Sequence, residues 1–252
     1  MTTQLILAEI TDRIVREFRP VRIVLFGSRA RGSARPDSDF DLLVVLRECN
    51  DKGQAKRDIY DALEDIKVNK DIVVTTPDEI ARSGNLIGTV LRPALQEGVV
   101  LYDCGTQEIR VDINEEEIAQ ATRNWMSQAL ENLRVAESGM QGVRPGINTA
   151  CYLAQQSIEK AIKAVLVFLQ IEFPFTHEIE PLLKLVPEGW NVKVLPISPK
   201  ALNDWATAGH YPVADLPGPV EENAWEALRQ ARMVLESVTR DLAAHGLDLQ
   251  AS

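Results

Sequence analysis

The sequence lacks any apolar run long enough to cross a membrane, since none approaches the roughly 20 residues that a spanning helix needs. Its N-terminus also lacks the basic region, apolar stretch and small-residue cleavage site of a secretion signal. These two absences exclude a membrane-spanning class and give no sign of export. We therefore expect a cytoplasmic protein.

Cysteine is scarce, with only Cys49, Cys104 and Cys151 in the whole chain. An odd number of scattered cysteines makes neither a disulfide framework nor the paired spacing of a zinc site. We interpret them as ordinary thiols, and any metal in this protein must use other ligands.

An excess of basic residues is also missing, because 27 Lys and Arg stand against 37 Asp and Glu. The net charge of −10 would repel a phosphate backbone unless a local basic surface overcame it. Residues 1–110 carry 16 basic and 18 acidic side chains, whereas residues 111–252 carry 11 and 19. No long nucleic acid is expected as a partner, and the second half is the acidic one.

What is present is the composition of a folded globular protein, with 45% apolar and 25% charged residues over a length of 252. That length suits one large domain or two of ordinary size. The first part mixes short apolar runs with helical patterns: helices are predicted over 4–18, 54–67, 77–83 and 86–97, and strands over 21–27, 40–46, 71–76 and 98–103. From Glu115 onward only helical patterns occur, over 115–139, 147–170, 177–186, 198–208 and 220–245. We predict an α+β domain over 1–105, a linker over 106–114 and an all-α domain over 115–252.

The stretch "VLFGSRARGSARPDSDFDLLVVL" (residues 24–46) carries the most chemistry. Asp39 and Asp41 are two residues apart at the start of a strand, so their carboxylates point to the same face. Asp71 begins the next strand and lies beside Asp41 if the two strands are neighbours. Three carboxylates arranged in this way would suit Mg²⁺ or Mn²⁺, which prefer hard oxygen ligands and the phosphates of a nucleotide.

Each part of this stretch has an ordinary interpretation when taken alone. Asp-x-Asp often marks a solvated strand end, and Arg29 and Arg31 are typical of a solvated loop that joins two strands. Gly27 and Ser28 directly follow a strand, where glycine allows close approach to a phosphate and serine can donate a hydrogen bond. The combination of these features favours a nucleotide and metal site over a hairpin connection with solvated charges.

"FGSRARGSARPDSDFDLLVV" with the later "KDIVV" resembles the signature of the DNA polymerase β-like nucleotidyltransferases, in particular their minimal branch. The resemblance implies an α+β domain with a short mixed sheet and transfer of a nucleoside monophosphate to a hydroxyl, with pyrophosphate released. By resemblance, Asp39, Asp41 and Asp71 are the catalytic and metal-binding acids. The triphosphate-binding residues implied are Gly27, Ser28, Arg29, Arg31 and Ser38.

The second half resembles the HEPN domain, a helical bundle, through "ACYLAQQSIEKAIKAVLVFLQ", "FTHEIEPLLKL" and "GHYPV". The family often has Arg-Tyr-Pro where this chain has His210-Tyr211-Pro212. HEPN ribonucleases use an arginine and a histidine four to six residues apart, and Arg240 and His245 have such a spacing. The same pair is also typical of a solvated helix C-terminus, and His177 is interpreted as a capping or packing residue.

Three classes of function follow from these resemblances. The first is a Mg²⁺-dependent transfer of AMP from ATP, or of another nucleoside monophosphate, to a protein tyrosine, as in toxin–antitoxin-like systems. The second is a transfer to a small molecule of the aminoglycoside type, which an acidic half would suit. The third is a nucleotide-binding or interaction module without catalysis. For all three we expect a homodimer.

Overall fold

The computed structural model describes residues 3–105, 114–142, 145–174, 176–210 and 218–249, with residues 209 and 210 described by their backbone alone. The chain divides into two compact units, Met1–Glu117 and Ile118–Ser252. The expected linker falls almost wholly on residues 106–113, outside the described part. Tyr211 and Pro212 also lie outside it.

The first unit is a four-stranded mixed sheet with helices on both faces, which confirms the predicted fold class. Its strands are β1 (Arg22–Phe26), β2 (Phe40–Val45), β3 (Lys70–Thr75) and β4 (Val99–Asp103). Its helices are α1 (Thr3–Phe18), α2 (Gly27–Ala30), α3 (Lys52–Ala62), α4 (Pro77–Ser83) and α5 (Leu91–Glu97). The sheet order is β3-β2-β1-β4, with β2 parallel to β3 and the other pairs antiparallel.

Alternation along the strands divides their side chains between two cores. One face packs against α1 and α3 and buries Ile23, Phe40, Leu42 and Ile72. The other face packs against α4 and α5 through a second group: Val24, Phe26, Leu43, Val45, Ile80, Leu91 and Ala94. The sheet is thus anchored on both sides, so its strand ends are fixed points on which side chains can be held.

Two predicted helices have different limits in the structure. The helix predicted over 54–67 begins at Lys52, because the Asp51 carboxylate caps it by accepting from the Gln54 amide, and it ends at Ala62. Beyond it the chain turns, and the Lys70 ammonium donates to the carbonyl of Ile66. The helix predicted over 86–97 begins only at Leu91, since Gly88 has a φ of +82° that a helix does not allow.

The second unit is all helical, as predicted. It consists of α6 (Glu115–Met140), α7 (Ile147–Phe168), α8 (Ile179–Leu185), α9 (Pro199–His210) and α10 (Glu221–Ala244), with a 3₁₀ turn over Asn191–Val194 that the sequence did not reveal. The i, i+3, i+4 pattern of α7 makes it the central helix, with Ile158, Ile162 and Val165 fully buried. No helix in the described ranges is both long and apolar enough to span a bilayer.

Candidate active site

The three predicted acids meet at one end of the sheet. In the strand register, Asp41 of β2 stands opposite Phe26 of β1 on one side and Asp71 of β3 on the other. Asp39 comes two residues before Asp41, just ahead of the strand, and is exposed. Strand order, which the sequence left open, therefore brings the carboxylates of two neighbouring strands together.

Gly27 lies next to these acids on the side of β1. It follows the last residue of β1 and has a φ of +70°, a conformation that residues with a Cβ rarely adopt. A Cβ on Gly27 would also overlap the Asp41 carboxylate, lying 2.9 Å from its carbon Cγ. The backbone of the turn and the carboxylate of Asp41 are thus in direct contact, which only glycine permits.

The pKa of Asp41 reflects the negative charges of the neighbouring acids. Partial burial raises the pKa of Asp41 above its ordinary value, and the charges of Asp39 and Asp71 raise it further. Arg31 and Arg29 oppose this shift. Among the described residues, no side chain donates a hydrogen bond to the Asp41 carboxylate, so its charge is left for a cation from outside.

The donor set fits a divalent ion by its chemistry, since all three groups are hard carboxylate oxygens. The Asp41 carboxylate lies directly against the backbone of Gly27, where a Cβ would overlap it. As they stand, however, no three acidic, cysteine or histidine side chains of the described part are gathered closely enough to hold a metal. Asp71 is paired with Lys56, whose Nζ lies 3.1 Å from its Oδ1.

The loop between β1 and β2 is not only a hairpin connection with solvated charges. Its first four residues form the short helix α2, and the Arg29 guanidinium folds back on the rest. Arg29 Nε donates to the carbonyls of Ser38 at 3.0 Å and Asp39 at 3.1 Å, and the guanidinium lies 4.0 Å from the centre of the Phe40 ring. Arg29 therefore shapes the loop that leads into the acids, a role that could not be distinguished from phosphate binding on sequence alone.

The side chains of the other predicted phosphate-binding residues make fewer contacts than Arg29 does. Arg31 pairs with Glu97 of α5 at 3.4 Å, and both side chains are about half exposed, with fractions of 43% and 51%. An exposed ion pair of this kind is weak. The Ser38 hydroxyl accepts from the Arg35 amide at 2.9 Å, whereas no bond to the Ser28 hydroxyl occurs within the described residues.

Lys56 and Tyr60 of α3 are site residues that sequence reasoning missed. Besides the ion pair of Lys56, the Tyr60 hydroxyl lies 3.4 Å from Asp71 Oδ1. The only available signal was their spacing of four residues on the helix that precedes the strand of Asp71. Charged and aromatic residues at that spacing are also common on ordinary solvated helix faces.

The two histidines of the second unit whose side chains are described differ: His245 packs against an aromatic ring, whereas the side chain of His177 is 83% exposed. His245 stacks on Trp190 with ring centres 4.4 Å apart, and Arg240 binds the Glu236 carbonyl. His177 lies 3.3 Å from the carboxylate of the buried Glu159. The side chain of His210 lies outside the described residues.

Comparisons with known proteins agree with this arrangement. A family model described as the nucleotidyltransferase domain matches residues 7–96, and one described as the HEPN domain matches residues 122–242. A search of curated proteins finds no match.

Among solved structures, the chain is similar to spectinomycin adenyltransferase AAD(9) from Enterococcus faecialis, crystallised with ATP and spectinomycin. The identity is 14%, the TM-score is 0.49, and the alignment covers 92% of this chain and 98% of that one. A similarity at this level does not by itself identify an acceptor. The two family matches do identify the chain: it is a nucleotidyltransferase, with a nucleotidyltransferase domain followed by a HEPN domain.

Proposed function

We propose that the protein transfers AMP from ATP to a hydroxyl acceptor with Mg²⁺ (or Mn²⁺) as cofactor. The acceptor oxygen forms a bond to the α-phosphorus, the bond from that phosphorus to the bridging oxygen breaks, and pyrophosphate leaves. The observation that carries the proposal is the register of Asp41 with Asp71, beside a turn at Gly27 whose backbone touches Asp41.

Each residue near the acids has a part in this reaction. Asp39 and Asp41 would hold the metal, and Asp71 would complete the site and accept the proton of the acceptor hydroxyl. Gly27 and Ser28 would bind the triphosphate by close backbone approach and a hydroxyl donor, with Arg31 and Ser38 nearby. When bound, a divalent ion supplies charge neutralisation at the phosphates and activation of the attacking oxygen.

For Arg29 the contacts support a different part from the one that the resemblance implies. Its guanidinium already donates to the carbonyls of Ser38 and Asp39, so few of its donors remain for a phosphate. We assign Arg29 the shaping of the loop, with its charge near the site as a secondary contribution.

The acceptor belongs to one of two classes. A protein tyrosine is the first candidate, as in toxin–antitoxin-like systems with the same pair of domains. A small polycationic molecule with free hydroxyls is the second, and it is favoured by the charge of residues 111–252, which carry 11 basic and 19 acidic side chains.

The test uses ATP labelled at the α-phosphate with Mg²⁺ and a cell lysate, followed by separation of protein from small molecules. Label on protein supports the first acceptor class, and label on a small molecule other than ATP, ADP and AMP supports the second. Spectinomycin is tested separately as an acceptor of defined structure that bears amines and hydroxyls. The variant Asp39→Ala/Asp41→Ala should remove all transfer. Tight ATP binding with no pyrophosphate released from ATP in the presence of any acceptor tested would contradict the proposal, and unchanged transfer by Asp71→Ala would remove Asp71 from the site.

A cytoplasmic homodimer completes the proposal. Light scattering of the purified chain distinguishes 28.0 kDa for a monomer from twice that mass. The domain limits 1–105 and 115–252 are tested by limited proteolysis, which should cut first within 106–114.

A further inference from the structure

Asp71 has two partners on the same helix. Lys56 Nζ lies 3.1 Å and the Tyr60 hydroxyl 3.4 Å from the same oxygen, Asp71 Oδ1. Lys56 and Tyr60 are four residues apart in α3, so they lie on one face of that helix. No bond to Oδ2 is found in the described part of the chain, so this oxygen is left for a ligand.

Tyr60 also fixes the backbone on both sides of Asp71. Its hydroxyl donates to the carbonyl of Lys70 at 3.0 Å and accepts from the amide of Ile72 at 3.3 Å. Lys70 and Ile72 are the two neighbours of Asp71 in β3. A single side chain thus sets where the strand presents this carboxylate.

Stability does not account for the Lys56 pair. The two side chains are 42% and 54% exposed, and surface ion pairs of that kind contribute about 0–1 kcal/mol. Their position matters more, because the pair puts a positive charge next to a group of three carboxylates, two of which raise the pKa of the third, Asp41.

We propose that Lys56 and Tyr60 are positioning residues for Asp71. Lys56 holds Oδ1 so that Oδ2 remains available, and Tyr60 fixes the strand on either side. The inference rests on the proposed function, in which Asp71 accepts the acceptor proton. It also implies that Lys56, as a like charge, weakens the binding of a divalent ion at these acids.

The experiment compares Lys56→Met, Lys56→Arg and Tyr60→Phe in labelled AMP transfer by the full chain. The matched control is Lys52→Met: Lys52 lies on the same helix and forms an ion pair of 2.7 Å with Glu79, away from the three acids. We expect Lys56→Met and Tyr60→Phe to lower kcat about tenfold, with the KM for ATP within about twofold of wild type. Lys56→Arg should restore most of kcat, and Lys52→Met should match wild type.

A second measurement does not depend on activity. Binding of Mn²⁺ to the nucleotide-free protein is followed by electron paramagnetic resonance of the free ion. Loss of the Lys56 charge should tighten binding about threefold in Lys56→Met. Lys56→Arg, Tyr60→Phe and Lys52→Met should leave the affinity for Mn²⁺ unchanged.

Combining each variant with Asp71→Asn shows whether Lys56 and Tyr60 affect kcat through Asp71. In that background Lys56→Met should lower kcat no further, because residues that act as a unit are not additive. An equal loss in both backgrounds, or a rise in the KM for ATP alone, would overturn the inference. If the wild-type protein transfers no AMP to any acceptor, the proposed function is wrong. The inference is then tested by Mn²⁺ binding alone, and an unchanged affinity for Mn²⁺ in Lys56→Met would overturn it.

Discussion

Acidic side chains of the first unit and of the second unit differ in their burial and in how many hydrogen-bond donors they have. Glu159 and Asp241 are 3% exposed, and each is bonded by several donors: Lys163 and two glutamine amides surround Glu159. Asp41 and Asp71 stand half open at a strand end, with a raised pKa at Asp41 and one weak ion pair at Asp71. Buried carboxylates whose oxygens accept from several donors stabilise the helical core, whereas partly exposed carboxylates with few donors can bind a cation.

The largest effect is expected when a buried acid loses its cation. Lys163 Nζ lies 2.6 Å from Glu159 Oε1 inside the helical core, between the rings of Trp125 and Phe173. Lys163→Met should lower the free energy of unfolding by about 3–5 kcal/mol, because it leaves Glu159 charged and buried. Urea unfolding measures this by tryptophan fluorescence, since all four tryptophans lie in the second unit.

The control for this prediction replaces the whole pair. Glu159→Leu/Lys163→Met removes both charges and puts apolar side chains in their place, which in buried pairs is often nearly neutral. It should therefore recover most of the lost stability. If the single variant costs less than about 1 kcal/mol, Glu159 is held by its amide partners and the contrast between the units is wrong.

A second effect, on activity, is expected at the turn beside Asp41. Gly27→Ala should lower kcat/KM at least about 100-fold, equal to about 2.7 kcal/mol, because the new Cβ displaces the Asp41 carboxylate. Gly32→Ala is the matched control: Gly32 has a φ of +72°, close to that of Gly27, but a Cβ there meets nothing within 4 Å. Equal losses in the two variants would mean that backbone strain alone, and not contact with Asp41, disturbs the site.

A smaller loss of activity is expected when the contacts of Arg29 that shape the β1–β2 loop are removed. Arg29→Lys keeps the charge but loses the planar group that donates to two carbonyls and covers Phe40. We expect kcat/KM to fall about tenfold, with labelled transfer as the measurement. Arg16→Lys, an exposed arginine paired with Asp12 on α1, should have no effect. A loss for Arg29→Lys confined to the KM for ATP would instead point to phosphate binding.

Local features of the sequence predicted much of this site. Alternation predicted Asp39 and Asp41 on one face of a strand, and the structure has Asp41 in β2 with Asp39 just ahead of it. The helix predicted over 77–83 is present with the same limits, and Thr76 caps it. The contact of Asp41 with Asp71 depends on strand order, which is a property of the whole sheet and not of either strand. Arg29 was assigned to the triphosphate by resemblance and Lys56 was missed, because a charged side chain in a loop or on a helix face can have several roles that the sequence does not distinguish.

The smallest effects are expected at the pair of residues that resembles a ribonuclease motif. Arg240 is exposed and bonds only the Glu236 carbonyl among the contacts described for it, so Arg240→Ala should change stability by less than about 0.5 kcal/mol. His245→Ala removes a ring stacked on Trp190 and a bond to the Asp241 carbonyl, and should cost about 1 kcal/mol. Both are measured by the same urea experiment, with hydrolysis of a labelled RNA as a second readout. Cleavage by wild type that both variants abolish would assign the pair to catalysis, because packing alone explains a loss at His245 but none at Arg240.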